Sequence, residues 1–253
     1  MKKYILKRLL ISIVTLLVIL FILFLMLQLM PGSPFNDEKL TTEQVAALNQ
    51  KYGLDKPVYI QFFNYVKNML SGDFGVSYTI SKNTPIAQLL KTRLPTSIRI
   101  GGQAVLLGTV IGLFLGIVAA LNHNTIWDTL TTVVSVLGVS LPSYVFALAL
   151  SYTLGFKLKW FPILYDIKLP FDSSILPTIA LSMFTIATIA RFTRSEMLEV
   201  LGSDYMLLAE SKGIRGPRLI FRHALRNALI PIITVLAPLI VGLMTGSLVV
   251  EKI

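Results

Sequence analysis

Polar and apolar positions along this chain do not alternate with the short periods of a soluble domain. Instead the charges withdraw from whole stretches. Five windows carry no Asp, Glu, Lys or Arg: Leu9–Asn36, Ile100–Trp127, Thr129–Phe156, Ser173–Ala190 and Asn227–Val250. A bilayer-crossing helix needs about 20 mostly apolar residues, and each window supplies enough chain for one, the fourth being the shortest. Five such windows in one chain predict an all-α membrane protein, a polytopic helical bundle with five transmembrane helices. The first window is too long for a signal-peptide core of ~7–15 residues, and no A-x-A cleavage site follows it, so it reads as a permanent anchor.

Within the windows, small residues recur at every fourth position. Gly108, Gly112, Gly116 and Ala120 form one such series; Ala147, Ser151 and Gly155 form a second, and Gly242 with Gly246 a third. In lipid there is no hydrophobic drive between helices, and small residues at this spacing let backbones approach closely. The spacing predicts helix–helix seams. Pro142 and Pro177 sit in or at the start of spans three and four, where they either kink a helix or mark its end.

The polar segments give the topology. Lys2, Lys3, Lys7 and Arg8 precede the first span and place the N-terminus in the cytoplasm. Counting spans then divides the chain into an N-terminal tail and first helix (1–30), an extracytoplasmic helical segment (31–95), and a transmembrane core (96–253) with a cytoplasmic loop at 191–228. Within 31–95, Thr41 and Gln44 form a capping-box pattern for a helix stopped by Gly53. A second helix is expected from Pro57 to Gly72, and a third, short one from Pro85. Their apolar faces, Ile60, Phe63 and Val66 with Ile86, Leu89 and Leu90, suit either a stabilising cap or a partner-docking surface.

The cytoplasmic loop is punctuated. In "LGSDYMLLAESKGIRGPRLIFRHALRNALIP", Ser203 can cap a short helix over Asp204–Lys212, with Asp204 in its first turn. Gly213 supplies a left-handed stop, and Gly216-Pro217 starts the next helix. Tyr205, Leu208, Ala209 and Lys212 fall on one stripe, Leu207 and Ser211 on another. Such a helix either docks a protein partner or lies against lipid.

Composition narrows the function. The chain of 253 residues is 54% hydrophobic and only 14% charged, against about 25% charged in soluble domains. Its net charge of +10 flanks apolar spans, where it acts as a topology signal rather than a nucleic-acid footprint. No cysteine is present, which excludes disulfides and thiolate metal sites. There is no G-x-x-x-x-G-K-[ST] phosphate loop and no H-E-x-x-H. His123 and His223 lie in loops, so no metal or Ser-His site is expected within a span. No charge lies inside a span to carry a proton relay. The sequence predicts neither an enzyme nor a cofactor, and any transport must draw its energy from a partner.

The loop resembles the EAA loop of ABC importer permeases. Ala209 and Gly213 match the family's A-x-x-x-G, and Ile214–Arg222 give its nine-residue spacing. Leu225 matches the I-x-L-P pattern of many relatives, whose final Pro is Arg226 here. "RHALRNALIP" is similar to the oligopeptide/dipeptide/nickel branch, as are "LMPGSPF", "KYGLDKPVYIQFFNYVKNMLSGDFGVSY", "LPTSIRIG", "SLPSYVFALAL" and "RFTRSEMLEVLGSDY". The resemblance implies a membrane subunit translocating oligopeptides or dipeptides. It implies as partners a homologous second permease, two ABC ATPase subunits and an extracytoplasmic substrate-binding protein. It makes Asp204, Tyr205, Leu208, Ala209, Lys212 and Gly213 the ATPase-coupling residues. It also implies a sixth span, before which the present sequence stops; a nickel or other small-solute permease, or a truncated non-transporting remnant, are the alternatives.

Overall fold

The computed structural model describes residues 2–29, 50, 53–77, 81, 84–166 and 168–244. It is helical nearly throughout and divides into two compact units, Met1–Thr92 and Arg93–Ile253.

The first unit opens with α1 (Lys2–Leu29), 28 residues or about 42 Å of helix, enough to cross a membrane. Helix α2 (Val58–Leu70) stands where the Pro57 and Gly72 signals placed it; Pro57 precedes its first residue and Gly72 turns with φ +82°. The rings of Phe21 and Phe24 meet Phe62 edge-on, with centroids 5.0 and 5.6 Å apart. Gln28 donates to Gln61 at 2.6 Å. Phe62 therefore faces α1, while Phe63, expected on the packed face, is 67% exposed. The helix expected before Gly53 lies outside the described residues. A two-residue antiparallel ladder follows, β1 (Val76–Ser77) with β2 (Thr84–Pro85), pairing Val76 with Pro85 and Ser77 with Thr84.

The short helix expected from Pro85 is instead the start of α3 (Ile86–Leu121), one helix of 36 residues running through Pro95. Proline removes one helical hydrogen bond, but Lys91 and Pro95 are exposed, so the freed carbonyl stays open to polar surroundings. The helix leads out of the first unit and into the second.

In the second unit α3 packs along α6 (Asp172–Leu201), and the glycine series forms the seam. A Cβ at Gly112 would stand 2.8 Å from the Ile189 Cβ and 2.9 Å from the Ile186 carbonyl; one at Gly116 would stand 2.6 Å from the Ala190 carbonyl. Only glycine leaves room for this approach, as the every-fourth-residue spacing predicts. The facing ridge is Thr185, Ile189 and Thr193, again four apart. Thr178 donates to the Gln103 side chain at 3.1 Å across the same pair of helices.

The third expected span is broken. Helix α4 (Ile126–Ser140) and the segment Ser143–Lys157, which is α5 (Ser143–Leu150) continued by a π-helical stretch, meet at 100°. The cause is local: Leu141 precedes Pro142, which disfavours the helical region, and Leu141 is extended with ψ 128°. Fifteen residues make only about 22 Å of helix, so α4 alone is too short for a ~30 Å hydrocarbon core. The described residues thus hold four uninterrupted helices fit to cross a membrane, five with the bent pair counted as one span. After α6 come α7 (Asp204–Ser211), a π-helical turn (Leu219–Ala224) and α8 (Leu225–Met244). Helix α6 is central, with fifteen buried residues along its length.

Candidate functional site

The loop between α6 and α8 is held at both ends by its backbone. Ser203 adopts the extended geometry of an N-cap, and its carbonyl accepts from the N–H groups of Met206 and Leu207 at 3.0 and 3.3 Å. Its hydroxyl does not cap α7 as expected; it donates to the Val200 carbonyl at 2.5 Å and fastens the cap to the end of α6. At the other end Gly213 donates to the Glu210 carbonyl at 2.9 Å, and Ile214 to the Ala209 carbonyl at 3.2 Å. This pair of bonds is the Schellman motif. It requires the left-handed backbone that Gly213 takes, φ +80°. The Gly216 carbonyl accepts from Leu219 and Ile220, which puts Pro217 in the first turn of the following helix.

Helix α7 has two distinct faces. Asp204, Tyr205, Leu208, Lys212 and Gly213 are exposed, as is Leu207. Met206 and Ala209 are buried, joining a core cluster with Met197, Leu219, Ala224 and Ala228. Ala209 therefore does not share the open stripe of Tyr205 and Leu208. It sits beside Met206 as a root of the helix, and its small Cβ lets α7 lie close to the bundle. The outward face is Tyr205, Leu207 and Leu208, flanked by the exposed Lys212, Arg215, Arg218 and Arg222.

A second polar assembly lies in the same unit, its two charged residues just outside the charge-free windows. The Asp128 carboxylate in the first turn of α4 receives two bonds from Arg194 of α6, Nε at 2.5 Å and Nη2 at 2.8 Å. It also accepts the Asn124 backbone N–H at 3.0 Å, and the His123 Nδ1 stands 3.0 Å away.

Comparison with known proteins shows the family. Residues 112–253 match the binding-protein-dependent transport system inner membrane component, and residues 1–101 match that system's membrane component N-terminal region. The chain belongs to this family of ABC importer permeases. It is 46% identical to the dipeptide transport system permease protein of Lactococcus lactis subsp. cremoris, over all of this chain and 82% of that protein. It is 41% identical to the oligopeptide transport system permease protein of Salmonella typhimurium, over all of this chain and 83% of that one. The dipeptide permease of Bacillus subtilis is 39% identical over the whole of this chain and 82% of its own length.

The permease is a multi-pass protein of the bacterial cell membrane and not an enzyme; in this family the ATPase is a separate subunit, and an ATPase and a binding protein complete the system. Helix α7 presents an apolar outward face of Tyr205, Leu207 and Leu208, rooted by the buried Met206 and Ala209. Among the described residues no cluster of His, Asp and Glu is arranged to hold a metal ion. Sequence reasoning missed Met206 as the root of α7 and the pairing of Asp128 with Arg194. Asp128 adjoins two apolar windows and Arg194 lies four residues beyond a third, on the same expected side of the membrane, which is the signal that could have joined them.

Proposed function

We propose that this permease translocates dipeptides or oligopeptides, with α7 as the element through which ATP hydrolysis acts. It pairs with a homologous second permease. Two ATPase subunits engage α7 on the cytoplasmic side, and an extracytoplasmic binding protein delivers peptide from the other. The names of its relatives support the peptide substrate. The observation that carries the coupling role is the division of α7: Tyr205, Leu207 and Leu208 open, Met206 and Ala209 seated in the core. A helix capped at both ends and rooted underneath transmits displacement instead of bending away from it.

Leu208→Asp tests this reading. An apolar anchor at the centre of a contact contributes about 2 kcal/mol or more, so its loss weakens ATPase docking roughly 30-fold. Leu208 is 55% exposed, so the variant inserts and folds normally. The expected result is normal permease abundance in the membrane with loss of ATPase co-purification and of labelled-dipeptide uptake. Normal co-purification and uptake would falsify the assignment of α7.

The orientation rests on the basic N-terminus. In this cysteine-free chain, a single cysteine at Ser71 is expected to react with an impermeant thiol reagent in intact cells whose outer barrier admits it. Labelling only after lysis reverses the topology.

A further inference from the structure

We propose that the Asp128–Arg194 pair is a mechanical joint that makes α4 and its preceding turn follow α6 and α7 as one body. This rests on the reading of α7 as the ATPase contact. Arg194 and α7 belong to one continuous path: α6 runs to Leu201, and Ser203 fastens α7 to its end through Val200. The Arg194 fork then grips Asp128, 66 residues earlier, with both oxygens engaged, at 2.5 and 2.8 Å. Two-point contact of a planar guanidinium with a carboxylate fixes orientation as well as distance. A lysine could fix only distance.

The carboxylate is gripped from its other side as well. It accepts the N–H of Asn124, which holds a left-handed turn at φ +62°, and it faces His123 Nδ1. His123 is itself 3.2 Å from Arg194 Nη2. One carboxylate thus ties together the turn after α3, the first turn of α4 and the cytoplasmic end of α6. The Asp128 side chain is only 7% exposed, so water does not compete freely for it.

Toward its far end α4 is held to α6 by packing rather than charge: a Cβ at Gly138 would stand 2.7 Å from the Ala187 Cβ and 2.9 Å from the Met183 carbonyl. It ends at Leu141-Pro142, where the chain turns through 100°. A helix tied to α6 at its first turn, packed against it further on and broken at its end carries displacement of α6 and α7 to the bend. Asp128 and Arg194 act in this as positioning residues. They do not contact the transported peptide in this reading.

The test uses the whole transporter with its ATPases, reconstituted from the cysteine-free permease. Spin labels are placed at exposed positions, Val133→Cys on α4 and Ser211→Cys on α7, and their distance is measured without nucleotide and after vanadate trapping. In the otherwise unaltered protein the distance distribution is expected to stay the same between the two states. In Arg194→Gln a second, displaced population is expected on trapping, and in Arg194→Lys a smaller one. ATPase co-purification is measured on the same samples and stays normal. Its loss in the unaltered protein would instead count against the α7 docking reading.

A distance that changes on trapping in the unaltered protein overturns the joint. So does an unchanged distance in both variants. Loss of assembly in both variants assigns the pair to folding alone and overturns it equally.

Discussion

The seam between α3 and α6 and the joint between α4 and α6 lie on the same central helix, yet they are built from opposite chemistry. At the seam, cohesion comes from removing atoms: Gly108, Gly112 and Gly116 clear a groove into which Thr185, Ile189 and Thr193 fit. At the joint it comes from adding charge: one carboxylate, one guanidinium, one imidazole and a backbone N–H converge. The difference follows the surroundings. In hydrocarbon an ionised group is costly, and helix contact relies on close packing. Beyond the charge-free windows, an ion pair can gain from both Coulomb attraction and hydrogen bonds without burial in lipid. A helix that passes from apolar to polar surroundings therefore carries both kinds of fastening.

The most damaging break in this comparison is Asp128→Ala. It leaves the Arg194 guanidinium and the Asn124 N–H without their shared acceptor. Removing one partner of a buried pair costs about 3–5 kcal/mol. The detergent unfolding midpoint is expected to fall sharply, with recovery when Arg194 is also replaced by Met, since the double variant leaves no unpaired charge. A double variant as unstable as Asp128→Ala alone would show that the loss does not come from the uncompensated guanidinium.

Next comes Gly116→Ala. A methyl there would meet the Ala190 carbonyl at 2.6 Å and the Thr193 Cβ at 2.5 Å. The first is backbone and cannot rotate aside, so the helices must part. Overpacking of this kind costs about 1–3 kcal/mol. The same unfolding measurement is expected to show a smaller loss than Asp128→Ala, and no rescue by any change at Arg194. Rescue by Thr193→Ala would be partial at most, because the Ala190 carbonyl and the Cβ at position 193 both remain.

These two regions also differ in how far the sequence discloses them. The seam is local information: four small residues at fixed spacing in one apolar window already imply a groove. The C-terminal end of α7 and the start of the helix after it are equally local, since Gly213 and Gly216-Pro217 state their backbone requirements in the chain itself. The joint is not local. Asp128 and Arg194 are remote in sequence, and nothing in either neighbourhood names the other. The face of Ala209 was misread for a related reason. On an eight-residue helix the stripe of Tyr205 and Leu208 passes beside it, and a methyl side chain suits a close partner contact as well as a close approach to the bundle. Only the neighbours, Met197 and Leu219 among them, decide between these. The break at Pro142 is half legible: proline marks the site, but nothing in the local sequence states the 100° angle. Pro95 carried the same warning and did not break its helix, because the carbonyl it frees lies on an exposed side.

The smallest expected effect is the one that separates groove from helix. Gly102 lies on α3, on the same helix as Gly116, but among the described residues nothing lies within 4 Å of where its Cβ would be. Glycine inside a helix is less favourable than alanine by up to about 1 kcal/mol, because its backbone loses more freedom on folding. Gly102→Ala is therefore expected to raise stability slightly, while Gly116→Ala lowers it. The two substitutions add the same methyl to the same helix, so helix propensity favours both alike. Any difference in sign must come from what the methyl meets. If both variants are stabilised, the helices can separate without loss and the glycine series is not a packing seam. If both are destabilised, the open space beside Gly102 is filled in the assembled transporter, and that side of α3 is itself a contact surface.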